Sequence, residues 1–134
     1  METLVLVARH GQTDWNRERR WQGHADRPLT PAGRAQAQAL AGRLGAVRLD
    51  AICASDLRRA RETARTVAAP HGLEVEIVPA LREVDTGDWT GLTRAEAEAR
   101  DPAGYEQEIL GTRRLYDDPE ARRRVAEFLS RSAA

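Results

Sequence analysis

A nearly unbroken apolar run, Thr3 to Ala8, stops abruptly at Arg9-His10-Gly11. It lacks the alternation of a half-exposed strand, so it predicts a strand buried on both faces, the kind that parallel sheets use. Residues 12–29 are polar, contain tryptophan and show no period, which predicts a long loop of the kind that is usually functional or disordered. Thr30 is then placed as a helix N-cap with Pro31 at the first helical position. Ala37, Leu40, Ala41 and Leu44 recur at helical spacing before Gly45 ends the segment.

The alternation continues. Asp50 to Ala54 predicts a second strand. A cap at Ser55 or Asp56 then opens a helix with an apolar stripe of Leu57, Ala60, Ala64, Val67 and Ala68. Pro70 and Gly72 stop it, and Val75 to Val78 predicts a third strand. Thr93-Arg94-Ala95-Glu96 matches a capping box for a short helix closed by Asp101-Pro102. Residues 103–117 are ambiguous, and Asp118-Pro119 starts a last helix with Ala121, Val125, Phe128 and Leu129 on one face. Strand, helix, strand, helix, strand implies right-handed crossovers and an α/β fold with a mainly parallel sheet between helical layers.

The length of 134 residues fits one domain. A single cysteine, Cys53, excludes a disulfide framework or a Cys-rich zinc site, and its place late in a strand predicts a small buried apolar residue. The longest apolar run, Leu4 to Ala8, is far below the roughly 20 residues of a membrane span. No signal peptide precedes it, so a soluble cytoplasmic protein is expected. All 21 basic residues are arginine, balanced by 21 acids. Residues 1–65 carry 12 Arg against 7 acids and residues 66–134 carry 9 against 14. Neutral overall, with no basic run longer than Arg122 to Arg124, the chain is not expected to bind nucleic acid. Arginine's planar fork does suit a small anionic ligand.

In open α/β sheets ligands collect beyond the carboxyl ends of the strands. There the sequence places Arg9 and His10, then Ser55 to Arg59, then Arg82 and Glu83. Three loops thus bring a histidine, several arginines and a carboxylate to one rim.

Four segments in order, RHGQTDWN (Arg9 to Asn16), QGHADRPLTPAG (Gln22 to Gly33), SDLRRARETA (Ser55 to Ala64) and LREVDTGDWTG (Leu81 to Gly91), resemble the histidine phosphatase, or phosphoglycerate mutase-like, superfamily. The resemblance spans about the first 90 residues. It implies a three-layer α/β/α fold and a metal- and cofactor-independent phosphomonoesterase acting on a phosphorylated small molecule. His10 would attack phosphorus through a neutral imidazole nitrogen to give a phosphohistidine. Neighbouring arginines would lower its pKa, in the needed direction.

Arg9 and Arg59 resemble the family's phosphate-clamping pair, and Arg59 is chosen over Arg58 because it directly precedes Ala60. Arg58 and Arg61 are expected to be solvated. The helix starting there would also aim its N-terminal dipole at the anion. Glu83 resembles the family's general acid and base, its pKa raised by Asp85 and partial burial. Asn16, Gln22 and Gly23 resemble the phosphate-pocket loop, to which Gln12 is added. Gly11 would let the backbone approach phosphate and Thr13 would donate a hydroxyl. Trp15, Trp21 and Trp89 fit either the pocket mouth or ordinary packing.

The family also carries a second pocket histidine in a Ser-His-Gly-like or Ala-His-Gly-like turn, after a later strand that pairs beside the first. Here the other histidines are His24 and His71, in no such motif, and a Gly-Glu-Ser-like segment is also missing. The expectation is therefore a domain over 1–134 that is incomplete at its C-terminus. Loss of one preorganised donor typically costs roughly 3–4 kcal/mol, about 10²–10³ in rate. An unpaired edge on strand one would call for cover by another segment or by a second copy in a homodimer. A phosphoglycerate mutase-type phosphotransferase and a weak or inactive phosphate-binding remnant stand as alternatives. The stretch from Glu83 to Gly91 is closer to the broad-specificity and α-ribazole-type phosphatases than to the Glu-Arg-His-Tyr-Gly of glycolytic mutases.

Overall fold

The structure, a computed structural model, describes residues 4–120 and 123. They gather into two compact units, one of residues 9–94 and one of residues 4–8 with the described residues after 94.

In the 9–94 unit, α1 (Asp14–Glu18), α2 (Pro31–Leu44), β1 (Ile52–Ala54), α3 (Arg58–Ala68) and β2 (Val75–Ile77) follow one another. β1 and β2 pair in parallel, with Ile52 opposite Val75 and Ala54 opposite Ile77. α3 packs on both strands and α2 packs on α3. The chain is thus of the α/β class, with the parallel pairing that the strand–helix order dictates. α2 forms as its ends specify: Thr30 Oγ1 accepts from Gly33 N at 3.0 Å, Pro31 needs no donor at the first turn, and Ala37 and Ala41 are buried.

Four local expectations are corrected. Residues 14–18 are a short helix rather than loop. No apolar stripe makes it; Thr13 and Asn16 do, in a reciprocal cap in which Thr13 Oγ1 accepts from Asn16 N and Asn16 Oδ1 accepts from Thr13 N. The inward face of α3 carries Arg59 and Thr63 beside Val67 and Ala68, whereas Ala60 and Ala64 are only half-buried. The cap of α3 comes from a distant residue: its N-cap is Leu57, and Asp26 Oδ1 accepts from Arg58 N at 2.6 Å. Cys53 is exposed, because its face of the two-stranded sheet is uncovered. Its thiol donates to Glu76 Oε2 at 3.7 Å, and partial burial followed by the Glu76 charge pushes its pKa up.

In the second unit, residues 4–8 have no regular secondary structure, with Leu4 83% and Val7 88% exposed. The expected strand is absent there because, among the described residues, no ladder pairs with it and nothing covers its faces. α4 (Arg94–Arg100) begins directly after Thr93. α5 (Pro102–Asp117) settles the ambiguous stretch as helix, with Asp101 Oδ1 accepting from Gly104 N at its start. Ala97 and Tyr105 are buried. The apolar face expected at Ala121, Val125, Phe128 and Leu129 lies outside the described residues.

Candidate active site

The loop following residue 8 is held against α2 and α3 by backbone contacts that only glycine permits. A Cβ on Gly11 would lie 2.3 Å from Gly33 O, and one on Gly33 would lie 2.1 Å from Gln12 O. Gly11 N donates to Thr63 Oγ1 at 3.0 Å, and that hydroxyl donates to Arg59 O at 2.8 Å. The inward polar face of α3 therefore exists to receive this loop.

His10 is half-buried there. Its Nδ1 lies 2.7 Å from Gly11 O. A carbonyl only accepts, so Nδ1 carries the proton and Nε2 keeps a free lone pair in the neutral ring. Burial is the main cause lowering the His10 pKa, with the Arg59 and Arg9 charges adding to it. The Gly11 carbonyl and the Glu83 charge oppose the shift.

Arg59 is only 1% exposed. Nη1 donates to Ala25 O at 2.7 Å, and Nη2 donates to Gly23 O at 2.8 Å and to Glu83 Oε2 at 3.2 Å. The guanidinium thus binds the Gly23–Ala25 loop and Glu83 together beside His10. Arg58 instead pairs with Glu62 on the exposed face of α3, at 2.8 Å. Glu83 is about half exposed at its side chain, 48%. Asp85, expected as its neighbouring charge, lies 3.8 Å from His24 Nδ1 and also accepts from Gly87 N. Arg82 forms a two-point pair with Asp56, which holds the Asp56 carboxyl at about 2.

The polar loop residues divide by task. Thr13 is fully buried, and its hydroxyl reaches Gln22 Oε1 at 2.8 Å and Asn16 Oδ1 at 3.0 Å. Its single proton is thus engaged inside the loop. Gln12 takes Thr30 Oγ1 on its side-chain oxygen and Thr30 N on its carbonyl. Gly23 sits at φ 47°, where a Cβ would also meet Thr86 N at 2.8 Å. Asn16 and Gln22 use their oxygens on Thr13 and line a cavity of about 240 Å³ with Arg9 and Glu83. Arg19, Arg20, Trp21 and Arg94 also line that cavity. Arg20 pairs with Glu18 at 3.0 Å, and the arginines of the lining still outnumber its one carboxylate, which favours an anion there.

Sequence reading had no signal for Arg19, which adopts the left-handed conformation at φ 58°. The tryptophans take both roles left open. Trp21 lines the cavity and meets Trp89 at a 48° tilt with centroids 6.2 Å apart, while the Trp15 ring packs under the Arg27 guanidinium and lies near Gly91 at its edge. Among the described residues no cluster of His, Cys, Asp or Glu could hold a metal, and no helix is long and apolar enough to cross a membrane.

Comparison with known proteins finds phosphatases and phosphoglycerate mutase-like proteins among its relatives. The chain is 47% identical over 103 residues to phosphoglycerate mutase-like protein 4 of Arabidopsis thaliana, covering 75% of this chain and 45% of that one. It is 45% identical over 98 residues to glucosyl-3-phosphoglycerate phosphatase of Mycobacterium tuberculosis, covering 73% and 44%. A structure of the mycobacterial glucosyl-3-phosphoglycerate phosphatase in complex with VO3 superposes with TM-score 0.67 at 46% identity, over 69% of this chain and 44% of that one. A putative α-ribazole-5'-P phosphatase from Escherichia coli superposes with TM-score 0.67 at 38% identity, over 73% and 48%. The chain spans less than half the length of each of these relatives. The sequence pattern of the histidine phosphatase superfamily (branch 1) matches residues 5–134, and the chain belongs to that superfamily.

Proposed function

We propose that the chain is a phosphomonoesterase working through a phosphohistidine on His10. The observation that carries this is the His10 ring itself: Nδ1 is committed to Gly11 O, the pKa is lowered, and Nε2 is left as a neutral nucleophile. In the first step Nε2 bonds to phosphorus, the P–O bond to the leaving group breaks, and the leaving oxygen takes its proton from protonated Glu83. In the second, Glu83 takes a proton from water, the water oxygen bonds to phosphorus and the P–N bond breaks. This returns neutral His10 and releases phosphate.

Arg9 lines the cavity and is assigned to the phosphoryl oxygens, as is the Asn16 amide. Arg59 is assigned to the charge balance around His10 and to holding Glu83 in place. Gln12, Thr13, Gln22, Gly11 and Gly23 shape the loop that presents these groups. The arginine-rich lining suits a small phosphorylated substrate whose leaving group is itself anionic.

A second reading replaces water by an acceptor alcohol, making the chain a phosphotransferase. It is favoured by 46% identity over 83 residues to a probable phosphoglycerate mutase, GpmB, of Enterobacter.

The test is hydrolysis of p-nitrophenyl phosphate and of an alkyl phosphate by the purified chain beside His10→Ala, with alkaline denaturing quench to trap the phosphorylated protein. Hydrolysis above the His10→Ala background with an acid-labile, base-stable phosphoprotein supports the enzyme. Equal rates for the two proteins overturn it and leave a phosphate-binding domain. Interconversion of 2- and 3-phosphoglycerate faster than hydrolysis selects the second reading.

A further inference from the structure

Glu83 lies on a segment that gives it little support. Residues 83–86 have no regular secondary structure, Val84 is 73% exposed, and no apolar burial anchors the acid's backbone. A glutamate on such a segment would sample many rotamers, at a cost in reactive geometry. Arg59 holds the end of the side chain. The main chain is held by a different residue, His24, which the sequence motifs left without a role. Its Nε2 lies 2.9 Å from Glu83 O, and because a carbonyl only accepts, Nε2 is the donor. Its Nδ1 lies 3.8 Å from Asp85 Oδ2, so one ring spans both ends of Glu83-Val84-Asp85. Among the described residues this is the one hydrogen bond to the main chain of residues 83–85.

The neighbouring contact reinforces it. Gly23 approaches Thr86 too closely for any side chain, so His24 is carried to Glu83 on a loop pinned one residue away. That loop is fixed in turn by Arg59 through the Gly23 and Ala25 carbonyls. His24 meets Glu83 at its main-chain carbonyl and not at its carboxylate, and its side chain is 39% exposed. A role for it in the reaction passes through Glu83.

We propose that His24 is a positioning residue for Glu83, fixing the main chain of the acid so that its carboxylate stays between Arg59 and the cavity. This rests on the role given to Glu83 above.

The test uses leaving groups that differ in their need for a proton. p-Nitrophenolate departs without protonation, whereas an alkyl alcohol does not. In His24→Ala, kcat/KM for an alkyl phosphate should fall about tenfold or more, a fraction of the 10²–10⁴ that general acid catalysis supplies. For p-nitrophenyl phosphate it should fall less than about threefold, since acid assistance is small for that leaving group. His24→Gln, whose Nε2 can donate to the same carbonyl, should recover most of the loss. Backbone ¹⁵N order parameters at residues 83–86 should fall in His24→Ala and return in His24→Gln, with α3 unchanged in both. An equal fall in kcat/KM for both substrates, or order parameters at 83–86 identical in all three proteins, overturns the proposal. If the wild type hydrolyses neither substrate, the phosphatase reading fails, and the order parameters at 83–86 alone decide whether His24 holds the segment.

Discussion

Arg59 and Glu83 are joined at 3.2 Å by the same nitrogen, Nη2, that also donates to Gly23 O, so the buried cation serves the acid and the loop at once. Arg59→Ala would strip the buried Gly23 carbonyl of its donor and leave the Ala25 carbonyl with Arg27 N alone. The buried orphan costs about 1–3 kcal/mol, giving a combined loss of about 2 kcal/mol or more with the cavity left behind. Arg59→Lys keeps the charge but not the planar fork and should recover only part of it. Denaturant unfolding at neutral pH measures both, and a loss under about 1 kcal/mol for the alanine variant would contradict the assigned role.

Gly33→Ala sets two effects against each other. Alanine in a helix gains up to about 1 kcal/mol over glycine. Here its Cβ would fall 2.1 Å from Gln12 O, and overpacking of this kind costs about 1–3 kcal/mol or more because backbone must move. The variant should therefore be less stable, and it should also lose activity because the displaced segment adjoins His10. Gly42 in the same helix has open space around it, so Gly42→Ala is expected to stabilise. Thermal melts of the two variants give opposite signs on this account.

His10 titrates below its ordinary value of 6.5. The unfolded chain then takes up this proton at higher pH than the folded one. The stability due to neutral His10 is present above pH 6.5 and is lost as pH falls through the folded pKa. The acid limb of kcat/KM should likewise lie below pH 6.5. Arg9→Gln removes one of the two depressing charges and should move the His10 midpoint upward, only in part, because burial is the larger cause. An NMR titration of the His10 ring reads this directly.

Asp26→Ala removes the distant cap on α3. The expected loss is about 1 kcal/mol, the usual worth of an N-cap acceptor, and Asp26→Asn should recover most of it. Chemical denaturation measures the difference.

Arg19 lines the cavity from an exposed position. Arg19→Ala should lower the preference for phosphomonoesters with an anionic leaving group over neutral ones by about 2–5-fold, the range of a solvent-screened charge contact. Competition between a carboxylated and an uncharged alkyl phosphate gives the ratio. A ratio unaltered at low salt would remove Arg19 from the specificity of the site.

What could be read in the sequence follows from which forces leave a local trace. Thr30 and Pro31 at one end and Gly45 at the other punctuate α2, and β1 and β2 are short apolar runs, so both are legible. α1 is not, because Thr13 and Asn16 build it by hydrogen bonding with no apolar period to detect. The inward face of α3 escapes detection for a related reason: Thr63 accepts the amide of residue 11, and Arg59 donates to carbonyls that arrive from residues 23 and 25. Hydrophobic periodicity counts only apolar residues and misses such a face. His10, Arg59 and Glu83 could be named from motifs. The link from His24 to Glu83 spans 59 positions and leaves no pattern in either segment.

The pairing of Trp21 with Trp89 has an optical consequence. One ring of the pair is part of the cavity wall and the other lies 6.2 Å away, centroid to centroid. Trp15, under the Arg27 guanidinium, supplies a separate emission background. A ligand entering the cavity perturbs one fluorophore of three, so occupancy of the site becomes readable as intrinsic fluorescence, with no label and no turnover.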